Sequence, residues 1–249
     1  MSWTTGTWYA FDTETTGIDV HTDRIVTATI IKITASTPGD HRSWLIDPGI
    51  EIPEGATKVH GITTDHARAN GVHPTEALSA IANTLTGVLR ARLPLVAMNA
   101  AYDLSILEAE LRRHNEPTLT NTLNPDDWHT LVDPMVLARG LDTVNRAFRK
   151  GRTYKLPDLC KRYGVPFTES HDAHADAIGA GLVAAAIVDS DLDLASRGPA
   201  ELFRMQSTWR REDQRRFRDW VEKAGKEDQY GDIDGGWPLH TRLTEAVAA

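Results

Sequence analysis

Residues 7–48 hold three extended segments separated by short gaps, and this crowding constrains the fold more than any other feature of the chain. Thr7–Phe11 is short and rich in aromatics. Arg24–Ile33 carries Ile25, Val26, Ile30, Ile31 and Ile33, and His41–Ile46 runs into the turn Asp47-Pro48-Gly49. Branched and aromatic side chains suit a pleated surface, and Pro and Gly end it. Short gaps join antiparallel neighbours, so an antiparallel meander is expected.

After the meander the apolar period changes. Leu78, Ile81, Ala82, Leu85 and Leu89 fall on one face of a helix over 75–92. A short apolar strand, Leu95–Met98, leads into a helix from Asp103 to His114. The polar stretch Thr118–Thr130 reads as a loop, and Leu131–Arg139 as a second strand-to-helix passage closed by Gly140. Ser170 is the expected N-cap of a long helix ending near Ser190. Strands first and helices alternating later make the fold class α/β with a mixed sheet. From Asp191 the character shifts, and Gly198-Pro199 opens a helical segment that runs to Gly225. The expected division is a domain over 1–192 and an extension over 193–249 packed on it. The 249 residues suit one domain with an extension or one large domain.

Three acidic motifs carry the chemistry. In Phe11-Asp12-Thr13-Glu14-Thr15-Thr16-Gly17, residues two apart in a strand point the same way, so Asp12 and Glu14 project together. They suit a divalent cation, or they are a solvated strand end. In Asn99-Ala100-Ala101-Tyr102-Asp103 the acid falls near a helix start, where an ordinary N-terminal carboxylate is equally at home. In His171-Asp172-Ala173-His174-Ala175-Asp176, the last acid shares a helical stripe with Ala180, Val183 and Ile187. A buried acid needs a partner, and a metal is one. Ala177, Gly179, Ala180 and Gly181 would let this helix approach its neighbours closely. His171 at the helix entrance could reach the same place or be a cap.

Taken together, the motifs resemble the DEDDh family of 3′→5′ exonucleases, which includes the proofreading subunit of bacterial replicative polymerases, ribonuclease T and oligoribonuclease. That family has Asp-x-Glu on its first strand, an Asp after an Asn-Ala strand end, and His-x4-Asp on a late helix. All five positions are filled here in order, and the resemblance runs from Trp8 to Val188. Val59-His60-Gly61-Ile62-Thr63, the helix after Asp133, and Lys155-Leu156-Pro157-Asp158-Leu159 are smaller echoes. A sister branch has Tyr four residues before the last Asp; here that position is Asp172. His174 matches no family position, and Met98 stands where many relatives have His.

The resemblance implies a ribonuclease H-like five-stranded sheet flanked by helices and two divalent ions, Mg²⁺ or Mn²⁺. It implies Asp12, Glu14, Asp103 and Asp176 as metal ligands and His171 as general base. Thr13, Thr15, His60 and Asn99 would hold the 3′-terminal nucleotide. The expected substrate is a single-stranded nucleic-acid end, DNA favoured over RNA, cut to nucleoside 5′-monophosphates. An oligoribonuclease-like action on short RNA and a catalytically silent nucleic-acid-binding module are the alternatives. Proofreading or repair would need a polymerase or other DNA-processing partner.

Charge bears on this reading. Between Val144 and Leu156, Arg146, Arg149, Lys150, Arg152 and Lys155 occur without an acid. Arg149, Lys150 and Arg152 would touch phosphates, or the stretch is a solvated loop. The net charge of −8 argues against non-specific coating of DNA, but carboxylates that bind cations add to that count. Cys160 is the sole cysteine, and no apolar run approaches the ~18 residues of a membrane span. With no signal-peptide pattern, a cytoplasmic protein is expected, with no membrane partner.

Overall fold

The computed structural model describes residues 2–145, 153–167, 172–226, 236–240 and 243. Its sheet has five strands, β1 (Thr7–Thr15), β2 (Ile25–Thr34), β3 (Thr37–Leu45), β4 (Leu95–Ala97) and β5 (Leu131–Val132), in the order β3-β2-β1-β4-β5. β1 pairs antiparallel with β2 and parallel with β4, and β4 pairs parallel with β5. Small helices α1 (Glu54–His60) and α2 (Thr64–Asn70) follow the meander. Then come α3 (Pro74–Arg90), α4 (Ala100–Arg113), α5 (Leu119–Thr122), α6 (Pro134–Val144), α7 (Leu156–Tyr163), α8 (Ala173–Asp189), α9 (Leu192–Ala195) and α10 (Pro199–Ala224). Among the described residues, no helix is long and apolar enough to cross a membrane.

The expected α/β mixed sheet is present, with differences at the edges of its elements. β3 begins at Thr37, not His41, because Ala35 and Ser36 both take positive φ (47° and 60°) and close a tight hairpin. Neither residue type signals that turn. The polar stretch 118–130 is helical: the Thr118 hydroxyl accepts from Asn121 N–H, and Asn124 and Asp127 cap each other across a 3₁₀ segment, Pro125–Thr130. Gly140 does not end its helix. It lies inside α6, where a Cβ would stand 2.0 Å from the Trp209 ring, so its smallness serves the approach of α10. The cap of α8 is Asp172, whose carboxylate accepts from His174 N–H at 3.3 Å; Ser170 lies outside the described residues.

Two apolar layers sandwich the sheet. Phe11, Ile30 and Leu95 pack with α3 and α4 on one face. Trp8, Ala10, Ile31, Ile33 and Val96 pack with α6, α7 and α8 on the other. Gly181 makes the second layer thin, since a Cβ there would meet the Trp8 ring at 2.5 Å. The small residues of α8 thus let it lie close on β1 and β2.

α10 covers the β5 edge. Gln206, fully buried, accepts from Asp133 N–H at 2.6 Å and donates to the Leu131 carbonyl at 3.1 Å. One side chain thereby satisfies backbone groups that a sixth strand would otherwise pair. Gln206→Leu leaves both buried and unsatisfied, and is expected to cost about 2–5 kcal/mol in a urea unfolding experiment. A loss below about 1 kcal/mol would mean that water reaches this edge.

Candidate active site

Alternation along β1 decides which residues meet. Trp8 and Ala10 face α8, so Asp12 and Glu14 do too, while Thr13 shares the parity of Phe11 and faces α4. The strand ladder continues through the motif, Asp12 opposite Thr29 and Glu14 opposite Thr27, and shifts only after Glu14. Asp176, in the first turn of α8, completes the group. Carboxylate oxygens of Asp12, Glu14 and Asp176 lie within 4.8 Å of one another.

Asp103 enters from the other side. It is 4% exposed in the first turn of α4, and one oxygen accepts both the Thr13 N–H at 3.1 Å and the Thr13 hydroxyl at 2.6 Å. The fourth acid of the expected set therefore stands beside the other three but is anchored to the strand between them. Thr13 directs its hydroxyl and N–H to Asp103, and Asn99 turns the chain from β4 into α4. Asn99 has a left-handed backbone (φ 56°, ψ 46°), which asparagine tolerates better than most residues. Its N–H and that of Ala100 donate to the buried Asp133 carboxylate at 3.2 and 3.0 Å, which fixes the start of α4.

The electrostatics are those of a cation site. Burial, then Asp103, Glu14 and Asp176, push the Asp12 carboxyl well above its ordinary range. Burial and then Asp176 and Asp103 raise Glu14 to about 8. Asp103 is raised to about 7, chiefly by burial, even though the Thr13 hydrogen bonds pull the other way. Among the described residues every influence on Asp12 and Glu14 disfavours charge, and no lysine or arginine pairs with either. Carboxylates held this close fit a hard divalent ion with oxygen ligands.

A stitched turn closes one side of the cluster. The Tyr102 hydroxyl donates to the Gly17 carbonyl at 2.5 Å and lies 2.8 Å from the Thr15 hydroxyl, which itself donates to Gly17 at 2.7 Å. Tyr102 occurs inside the Asn99–Asp103 motif, but its role could not be read there, because the contact spans 87 residues to Thr15. His60 lies nearby: its Nδ1 accepts from Ile62 N–H at 3.1 Å, and burial lowers its pKa while the Thr15 backbone acts the other way. His171, Arg146, Arg149, Lys150 and Arg152 lie outside the described residues. His174 packs against His41, ring centroids 4.3 Å apart and planes tilted by 56°.

A mixed sheet whose central strand and late helix bring acids together beside the start of α4 defines a class, the nucleases of ribonuclease H-like fold. Comparison gives the family. The RNase T exonuclease family model matches residues 9–181, more than half of the chain, and the protein belongs to that family, of the DEDD-type 3′→5′ exonucleases. It is 28% identical over 176 residues to a PolC-type DNA polymerase III of Streptococcus agalactiae, covering 70% of this chain and 11% of that one. The corresponding Lactococcus lactis polymerase is 29% identical over 176 residues, with 70% and 10% covered. Among solved structures, Escherichia coli exonuclease I in complex with a dT13 oligonucleotide superposes with a TM-score of 0.60 at 20% identity, covering 74% of this chain and 41% of that one. An exonuclease I/SSB-Ct complex gives 0.62 at 19%, covering 83% and 44%. The chain spans about a tenth of the polymerases it matches and under half of exonuclease I.

Proposed function

We propose that the protein removes nucleotides one at a time from single-stranded 3′ ends, DNA before RNA, as a metal-dependent exonuclease. The observation that carries this reading is the meeting of Asp12, Glu14 and Asp176 oxygens within 4.8 Å on an enzyme family's fold. Asp12, Glu14 and Asp176, with Asp103 beside them, would hold two Mg²⁺ or Mn²⁺ ions. Bound there, the ions would stabilise the attacking and leaving oxygens of an in-line displacement. His171, one residue before the α8 cap, accepts the proton of the attacking water; an imidazole titrates near working pH. The water oxygen joins phosphorus, the bond to the 3′ oxygen of the next nucleotide breaks, and a nucleoside 5′-monophosphate leaves. Thr13 would act here through its anchoring of Asp103, while Thr15, His60 and Asn99 line the approach for the terminal nucleotide. Arg149, Lys150 and Arg152 would meet phosphates upstream. Residues 1–192 would form the catalytic domain and 193–249 the extension packed on it. The PolC-type relatives are DNA polymerases, which supports a polymerase or other DNA-processing partner; a place in the cytoplasm and a role in repair or proofreading belong to the same proposal.

The test uses 5′-labelled single-stranded DNA and RNA of equal sequence, with Mg²⁺ or Mn²⁺, with and without EDTA. A ladder that shortens from the 3′ end only with metal supports the reading, and the faster polymer names the sugar. No cleavage of either polymer with either metal would leave the family's fold without this activity. Tyr102→Phe removes one hydroxyl from the turn beside the acids and leaves the acids in place. It is expected to raise KM up to about tenfold with kcat little changed, the worth of about one hydrogen bond. Equal KM values in steady-state assays would show that the turn holds without it.

A further inference from the structure

The second half of α10 carries a surface that the catalytic reading does not use. Phe217 and Trp220 follow one another along the helix and are 38% and 45% exposed. Their rings stack, centroids 5.8 Å apart and planes 16° apart. With Arg139, Arg210, Asp213 and Arg216 they line an open cleft of about 810 Å³. Among the described residues three guanidinium groups there face one carboxylate, Asp213, which pairs with Arg139 at 2.8 Å and Arg216 at 3.8 Å, and the Lys226 ammonium lies 5.1 Å from the Trp220 ring centroid. On a chain of net charge −8, this is a local cationic excess around aromatic rings.

The cleft also has a place relative to the acids. α10 runs beside α6 in the same direction: Gln206 meets Asp133 at the start of α6, and Arg216 meets Thr143 near its end. Ten residues of helix separate those two contacts, about 15 Å. Asp133 in turn holds the start of α4, the helix that carries Asp103.

We propose that this cleft binds single-stranded nucleic acid on the 5′ side of the end being trimmed, with bases on Phe217 and Trp220 and phosphates on Arg139 and Arg216. The polymer's identity rests on the exonuclease reading; the cleft's chemistry does not. Stacking serves any base, because every base has a π face, and arginine serves any phosphate. The site would therefore hold the strand without reading sequence. An apolar protein partner would not call for three arginines around two rings.

The test compares the full chain with a Phe217→Ala/Trp220→Ala double variant, both in an Asp12→Asn background so that nothing is cut. Anisotropy of labelled oligo(dT) gives affinities for a long strand and for a dinucleotide. The double variant is expected to lose about thirtyfold in affinity for the long strand relative to the dinucleotide, the low end of two stacked bases. A Phe217→Tyr/Trp220→Phe variant, which keeps the rings, should bind like the parent. An unchanged ratio in a double variant that melts like the parent overturns the proposal. So does loss of self-association in that variant by light scattering, which would give the face to a second copy of the chain. Absence of nuclease activity in the protein with Asp12 intact, with the long-strand difference retained, would sink the exonuclease reading and leave the cleft standing.

Discussion

Asp12→Asn is expected to lower exonuclease turnover by about 10³-fold, a figure at the upper end of the loss when one preorganised electrostatic group is removed. The same change is expected to stabilise the metal-free protein. Asp12 sits on the central strand with its charge disfavoured by burial and by Asp103, Glu14 and Asp176. An amide of nearly the same shape keeps the strand and relieves that repulsion. Each kcal/mol relieved would raise the melting temperature in EDTA by roughly 2–4 °C. With Mg²⁺ or Mn²⁺ present the order should reverse, because the ion binds only the parent tightly and stabilises what it binds. Turnover and two melting curves therefore test one idea from opposite sides. A variant that is both inactive and less stable in EDTA would show that Asp12 supports the fold and is not a strained ligand.

The parts of this site that were legible in the sequence are those set by local periodicity. Asp12 and Glu14 share a face because strands repeat every two residues, and Asp176 shares a stripe with Ala180, Val183 and Ile187 because helices repeat every 3.6. The small residues of α8 also announce a close approach, which Gly181 makes against Trp8. What the sequence hides is set across the sheet. The bond from Thr13 to Asp103 joins residues 90 apart, and the bond from Tyr102 to Gly17 joins residues 85 apart, so no window contains either pair. Polar residues misled in a consistent way. Thr118, Asn124 and Asp127 read as loop because such side chains compete with the backbone, yet here they cap short helices. Gln206 lies within the helical segment that runs to Gly225, and its role as cover for the β5 edge appears only once α10 is docked.

The metal-free protein is expected to lose stability as pH rises, opposite to the usual behaviour of acids in folded proteins. In the folded chain Glu14 is held up to about 8 from an ordinary 4.5, and Asp103 up to about 7 from 3.8. Between those limits the folded state keeps protons that the unfolded state has released, so stability falls with pH. The contribution is fully present below the unfolded values, near pH 4, and is gone once pH passes the folded ones, near 8. Each unit of difference corresponds to about 1.4 kcal/mol before solvent screening reduces it, so the total decline is on the order of a few kcal/mol. A bound divalent ion takes the place of those protons. Its stabilising effect should thus be small near pH ~5, where protons compete, and largest near pH ~8, where the carboxylates are charged and repel. Melting curves across this range, in EDTA and in Mn²⁺, should diverge as pH rises. Two parallel curves, or a metal-free protein whose melting temperature climbs between pH ~5 and ~8, would mean that the acids are already neutralised by something other than an ion. Glu14→Gln should flatten the metal-free curve by removing one of its largest contributors, which assigns the slope to this cluster and not to the acids elsewhere on the chain.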